Sequence, residues 1–231
     1  FLRIDRVTKT IVHQSFKEFD KDFIVAYMTE KEERKAERNA DRKGQEVEMM
    51  EYDMREIIRR EDGGALVVAE QYFMWVEVIR TTQPNGASTT SYRYHYVYND
   101  IIVVNINPSG DIEWAAKVPK RQHSVNDGGY YSSYAMNVKG GKIYLIYNDT
   151  GENLFLKQGD KVQQFEITGK DALVTLSTID EDGITHREAL FSPEKRDAKV
   201  CPKDCLQLAD DRMFLYASRK KEYRFGLVTF D

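Results

Sequence analysis

Three short runs of unbroken apolar residues punctuate the chain: Ala65-Leu66-Val67-Val68-Ala69, Ile143-Tyr144-Leu145-Ile146-Tyr147 and Met213-Phe214-Leu215-Tyr216-Ala217. A strand with one wet face alternates apolar with polar residues, so these runs predict strands covered on both faces. The first run has company on either side. Residues 52–59 read as an outer strand with Tyr52, Met54 and Ile58 on one face, and Glu61-Asp62-Gly63-Gly64 as the turn into a middle strand over 65–73. Residues 101–106 form a third strand and 111–118 a fourth, in which Ile112, Trp114, Ala116 and Val118 alternate with polar neighbours. The second unit repeats the order: 134–138, a turn over 139–142, 143–147, 172–179 and 184–191, the last two joined by Asp180-Glu181-Asp182-Gly183. The third has 205–208, a turn at Asp210-Asp211, 213–217 and 223–230, and stops at three strands.

Repeated antiparallel sheet with covered middle strands predicts an all-β fold of β-propeller-like blades. At the N-terminus, 1–5 and 11–16 flank a turn at Thr8-Lys9 and read as third and fourth strands with nothing before them. One reading is ring closure, in which these strands complete the last blade. Three blades are fewer than closed propellers need. The expectation is therefore a single propeller-like domain or fragment over 1–231, part of a larger propeller whose earlier blades precede Phe1. The missing initiator Met points the same way.

Two excursions interrupt the units. Over 20–43 the period changes to helical, with Phe19, Phe23 and Tyr27 four residues apart and Ile24 and Met28 beside them. After Met28 the insertion is almost wholly charged, with pairs such as Glu30 and Arg34, which predicts a helix pinned by its first turns and solvated beyond. Over 74–98, Trp75-Val76-Glu77-Val78-Ile79 and residues 92–97 flank Pro84-Asn85-Gly86, an extra hairpin. Tyr92, Tyr94, Tyr96 and Tyr98 fall on one face of it; such a ladder stacks on a sugar or peptide, or more commonly on a neighbouring strand.

Composition narrows the function classes. The chain has 231 residues, 14 Tyr, 11 Phe and a formal net charge of -4, so it can bury a large core and has no basic excess for nucleic acid. No run of 18 apolar residues offers a membrane span. Cys201 and Cys205, three residues apart, suit a short-loop disulfide in an oxidising compartment; two reduced thiols in a turn are the alternative.

Candidate chemistry concentrates in the link between the first two units, residues 120–133. Arg121, His123, Asn126, Asp127, Tyr130 and Tyr131 combine donors, acceptors and aromatic faces, as a specific ligand or partner requires. The competing reading is a turn in which Asn126, Asp127 and two glycines satisfy the backbone. No catalytic set is expected: His13, His95, His123 and His186 are scattered, neither serine of the Ser132-Ser133 pair has a nucleophile-elbow context, and no metal or cofactor spacing occurs. Asn148-Asp149-Thr150-Gly151-Glu152-Asn153 alternates oxygen ligands as a calcium loop does, but lacks the full pattern, so a β-turn is expected. Gly110-Asp111-Ile112-Glu113-Trp114 resembles the Gly-x-x-x-Trp signature of quinoprotein-type propeller repeats, a likeness that implies Trp114 docks between blades.

Ile57-Ile58-Arg59-Arg60-Glu61-Asp62-Gly63-Gly64, Ala69-Glu70-Gln71-Tyr72, Asn99-Asp100-Ile101-Ile102-Val103 and residues 126–134 carry a wider resemblance. They are similar to an uncharacterised propeller-like family of extracytoplasmic Bacteroidota proteins, over most of 16–149. The resemblance implies a periplasmic, outer-membrane-associated or secreted location and carries no activity with it. The expected function is a non-catalytic binding or scaffold module that meets a protein partner through its inter-blade loops. A carbohydrate-active enzyme with carboxylates at a channel mouth and a purely structural subunit of an envelope complex are the alternatives.

Overall fold

Strands make up 52% of the chain and helix 12%, and the sheets are antiparallel, so the fold is all-β. The computed structural model describes residues 2–16, 18–49, 51–157, 159–193, 197–209 and 211–230. Phe1 and Asp210, assigned above to a strand and a turn, lie outside the described residues. The chain begins with a hairpin, β1 (Leu2–Ile4) and β2 (Ile11–Gln14), followed by helices α1 (Lys21–Val25) and α2 (Glu30–Lys43). The first sheet contains β3 (Tyr52–Arg59), β4 (Ala65–Thr82), β5 (Ser88–Ile106) and β6 (Ile112–Val118), with β7 (Gln122–Val125) added to β5. The second contains β8 (Ala135–Lys139), β9 (Lys142–Thr150), β10 (Ala172–Ile179) and β11 (Thr185–Phe191). The third contains β12 (Lys199–Val200), β13 (Leu206–Ala209), β14 (Arg212–Arg219) and β15 (Glu222–Thr229).

Sequential hairpins lay the first two sheets out as meanders, β3-β4-β5-β6 and β8-β9-β10-β11. The three sheets then stack face to face. Leu66, Val68, Ile101, Val103 and Val118 of the first meet Ile143, Leu145, Tyr147 and Ile179 of the second. The second sheet's other face carries Tyr144, Ile146, Val174 and Leu176, packed on Val200, Met213, Leu215 and Phe230. Residues 143–149 on β9 are therefore all buried, which is what an unbroken apolar run demands. The expectation of two covered faces fails for the other two runs. On β4, Leu66 and Val68 are buried while Val67 and Ala69 are half-buried; on β14, Met213 and Leu215 are buried while Phe214 and Tyr216 are half-buried. Each belongs to an outer sheet, with another sheet packed on one face only. Leu206, Leu208, Phe225 and Leu227 leave an apolar face of the third sheet in solvent.

Ring closure does not form. Among the described residues β1 and β2 pair only with each other, and no sheet closes on itself. Trp114 does bridge two layers: its Nε1 donates to Glu181 O at 2.7 Å, and its ring lies where a Cβ on Gly183 would sit at 2.7 Å. Gly183, at φ +82, is thus required both by its turn and by the tryptophan.

The single helix expected over 20–43 is two. Tyr27 adopts a left-handed φ of 67°, and Thr29 starts α2 with a capping box shared with Glu32. Gly44 ends it in the left-handed conformation. The far half is not simply solvated either, because Ala40 is buried. The lysine Lys117 anchors the insertion to the first sheet, donating through Nζ to Ile24 O at 2.9 Å.

Candidate functional site

The segment read as an extra hairpin is a continuation of β4 and β5. Their register slips between Glu70 and Tyr72, and beyond it the two strands run on together to the turn at Pro84-Asn85-Gly86 as a two-stranded arm. Cross-strand pairing puts Met74, Val76 and Val78 opposite Tyr96, Tyr94 and Tyr92. Strand alternation gathers these six on one face, where Met74 is 48%, Val78 52% and Tyr92 56% exposed. The Tyr ladder is therefore split: Tyr98 is buried against Tyr72, with ring centroids 4.7 Å apart, while its outer members face water.

On the opposite face Trp75 stacks on His95 at 4.5 Å and on His123 at 5.5 Å. His95 Nδ1 and His123 Nε2 are 3.0 Å apart, and Glu77 Oε2 lies 3.3 Å from His95 Nε2. Burial, with His95 close by, holds His123 below the ordinary histidine range. The inter-sheet link is thereby stapled to the base of the arm. Asn126, at φ 59°, accepts the Tyr94 N–H and donates its own N–H to Tyr94 O, both at 2.9 Å. Asp127 Oδ1 accepts from Ser124 Oγ at 2.6 Å and from Gly129 N–H at 2.8 Å.

The six residues singled out from sequence are not brought to one pocket. His123 and Asn126 hold the arm, and Asp127 shapes its own turn. Tyr130 and Tyr131 meet edge to face at 5.1 Å beside the third sheet, where the hydrogen bond to Tyr216 and then burial push the Tyr130 phenol up. Arg121 turns away to pair with Glu32 on α2 at 2.9 Å.

Sequence reasoning missed a buried charged network where the link crosses between sheets. Glu70 and Lys120 are both fully enclosed, with Lys120 Nζ 2.7 Å from Glu70 Oε1. Arg55 Nη2 stands 3.2 Å from Glu70 Oε2, which also accepts from Ser133 Oγ at 2.7 Å. Lys120 donates to Tyr98 O at 3.1 Å, and Gln122 Nε2 to Asn148 O at 2.7 Å. Burial pulls the Lys120 ammonium below the lysine range although Glu70 opposes it. One signal existed: alternation along β4 puts Glu70 on the same face as Leu66 and Val68, a charge aimed at the core.

Beside this network lies a crevice of about 330 Å³ between the helical insertion and the end of the first sheet. Tyr27, Met28 and Asn39 form its helical wall, and Tyr52, Phe73 and Asp100 its sheet wall. Burial raises the Asp100 carboxyl to about 6, with Lys117, Lys120 and Arg121 pulling the other way. Asn99 donates to Gln71 Oε1 at 3.1 Å, and its own Oδ1, sealed from solvent, has no hydrogen-bond partner.

The expected disulfide is absent. Cys201 and Cys205 are free, buried thiols at the two ends of a 3₁₀ turn, Pro202–Asp204. Cys205 Sγ is engaged elsewhere, at 3.4 Å from Cys201 O and accepting the Tyr216 N–H at 3.3 Å. Burial raises Cys201 to about 11 and Cys205 above its ordinary range, so neither is a reactive thiolate at neutral pH. The calcium-like stretch is likewise turned inward: Asp149 Oδ1 accepts from Asn153 Nδ2 at 2.7 Å. Among the described residues no three His, Cys, Asp or Glu groups converge as a metal site, and no helix is long and apolar enough to cross a membrane. Comparison with protein-family models, curated proteins and solved structures gives no match.

Proposed function

We propose that the chain is a non-catalytic binding module that engages a protein partner through the β4–β5 arm and the inter-sheet link stapled to it. The observation that carries this is the exposed apolar and tyrosine patch of Met74, Val76, Val78, Tyr92, Tyr94 and Tyr96, with Arg80 next along the same face, on a ribbon projecting beyond the packed layers. Contiguous exposed apolar surface of this kind marks interaction sites, and tyrosine supplies contact area at low entropic cost. The His95–His123–Trp75 stack and the Asn126 clamp give the arm a fixed root, so less ordering remains to be done on binding. In this reading the three stacked sheets are successive blades of a propeller-like array. The uncovered apolar face of the third sheet supports that part of it, and the resemblance of residues 126–134 supports a setting in the cell envelope or outside the cell.

A photo-cross-linking residue placed at Tyr92 in the native host tests the reading. A discrete adduct that disappears when Val76→Asp is added is the expected result. Adducts that are absent, or unchanged by Val76→Asp, remove the arm as the docking surface.

A further inference from the structure

The crevice is a second site, independent of the arm, and we infer that it binds a neutral sugar residue. Its charges cancel: Glu32, Glu51 and Asp100 face Lys35, Lys120 and Arg121 around one wall. Two of the three basic groups that an anion would seek are already committed. Arg121 holds Glu32 at 2.9 Å and Lys120 holds Glu70 at 2.7 Å. Beyond Lys35, a phosphate or carboxylate ligand would have to break one of these pairs, and an amine would meet as many cations as carboxylates. A neutral molecule does neither.

The remaining groups suit a polyol. Asn39, Gln71, Asn99 and Asp100 present planar amides and a carboxylate, which bridge neighbouring hydroxyls in the way isolated donors do not. Tyr27 and Phe73 supply flat apolar surface for the C–H face of a pyranose ring. The volume of about 330 Å³ falls at the small end of ligand sites, enough for one or two rings. The Arg121–Glu32 pair ties α2 across the opening, so the helical wall is positioned before any ligand arrives.

The test is ligand-observed saturation-transfer NMR on the whole chain with methyl glycosides of glucose, galactose, mannose, xylose and N-acetylglucosamine. Glucose 6-phosphate and adenosine complete the panel. At least one neutral glycoside should bind with Kd below about 10 mM, and Asn39→Ala, on the partly exposed helix wall, should weaken it about tenfold, the worth of one good hydrogen bond. Asp100→Asn, which keeps the shape of the floor, should weaken it too. The arm variant Val76→Asp should leave glycoside binding unchanged whether or not the arm binds a partner. No response from any glycoside overturns the inference. So does stronger binding of glucose 6-phosphate or adenosine, or glycoside binding indifferent to both crevice variants.

Discussion

The strands β4 and β5 live in two environments along one continuous ladder. Their inner halves, Ala65 to Glu70 opposite Ile101 to Ile106, carry the same backbone pairing as their outer halves, yet Val68, Ile101 and Val103 are fully buried while Met74, Val76 and Val78 are exposed. Hydrogen bonding therefore does not distinguish core from arm; what lies over the side chains does. Inside, β-branched residues gain about 1.5–3 kcal/mol each from leaving water. Outside, similar residues keep that potential unspent, available to a partner.

The largest contrast should come from the charged network at the junction. Lys120→Ala leaves Glu70 enclosed with one oxygen stripped of its lysine and the other still paired to Arg55, and should destabilise by about 3–5 kcal/mol in urea unfolding. A loss below about 1 kcal/mol, the worth of a solvated surface pair, would mean that the network is hydrated. Next, Leu145→Ala in the central layer should cost about 2–5 kcal/mol, against about 0.5 kcal/mol or less for Val78→Ala on the arm. Equal losses would show that the arm is packed against something in solution.

A pH series separates buried from exposed carboxyls. Burial raises Asp149 from 3.8 to about 6, so the folded protein holds this proton more tightly than the unfolded chain. Its stabilising contribution is complete below about pH 4 and lost as pH rises through 6, roughly 3 kcal/mol in all. Asp149→Asn should remove its share of that slope and leave the share of Asp100, whose carboxyl is raised over the same window, as measured by urea midpoints between pH 4 and 7. A wild-type profile matched by the variant would place the carboxylate in water. Smallest is the effect of reductant on the wild-type chain: with no bridge to lose, the unfolding midpoint should be the same with and without it. A reductant-dependent midpoint in the wild-type chain would restore the disulfide.

Much of the framework was legible because strands announce themselves locally. Turn chemistry at Gly63-Gly64, Gly140-Gly141 and Asp182-Gly183, and apolar runs between the turns, placed the strands of both meanders to within a residue or two at most ends. Two errors were also local. The apolar pattern runs on from Phe73 through Met74 to Trp75, but strands are usually about five or six residues long, so one long strand read as a middle strand over 65–73 and a separate hairpin strand from Trp75. The capping signal Thr29-x-x-Glu32 was present but overridden by a continuous helical period. The crevice was hidden for a different reason: Asn39, Gln71 and Asp100 are far apart in sequence, and nothing in their spacing reports that they share a wall.

By itself, then, the amino-acid order determined the antiparallel strands and their turns, because these depend on alternation and turn residues within a few positions. Tertiary structure alone decided which of the three apolar runs is covered on both faces, that β4 and β5 extend into an arm, and that Glu70 meets Lys120. Those outcomes depend on which distant segment lies over a given side chain, and burial, unlike backbone pairing, is a property of the neighbour as much as of the residue.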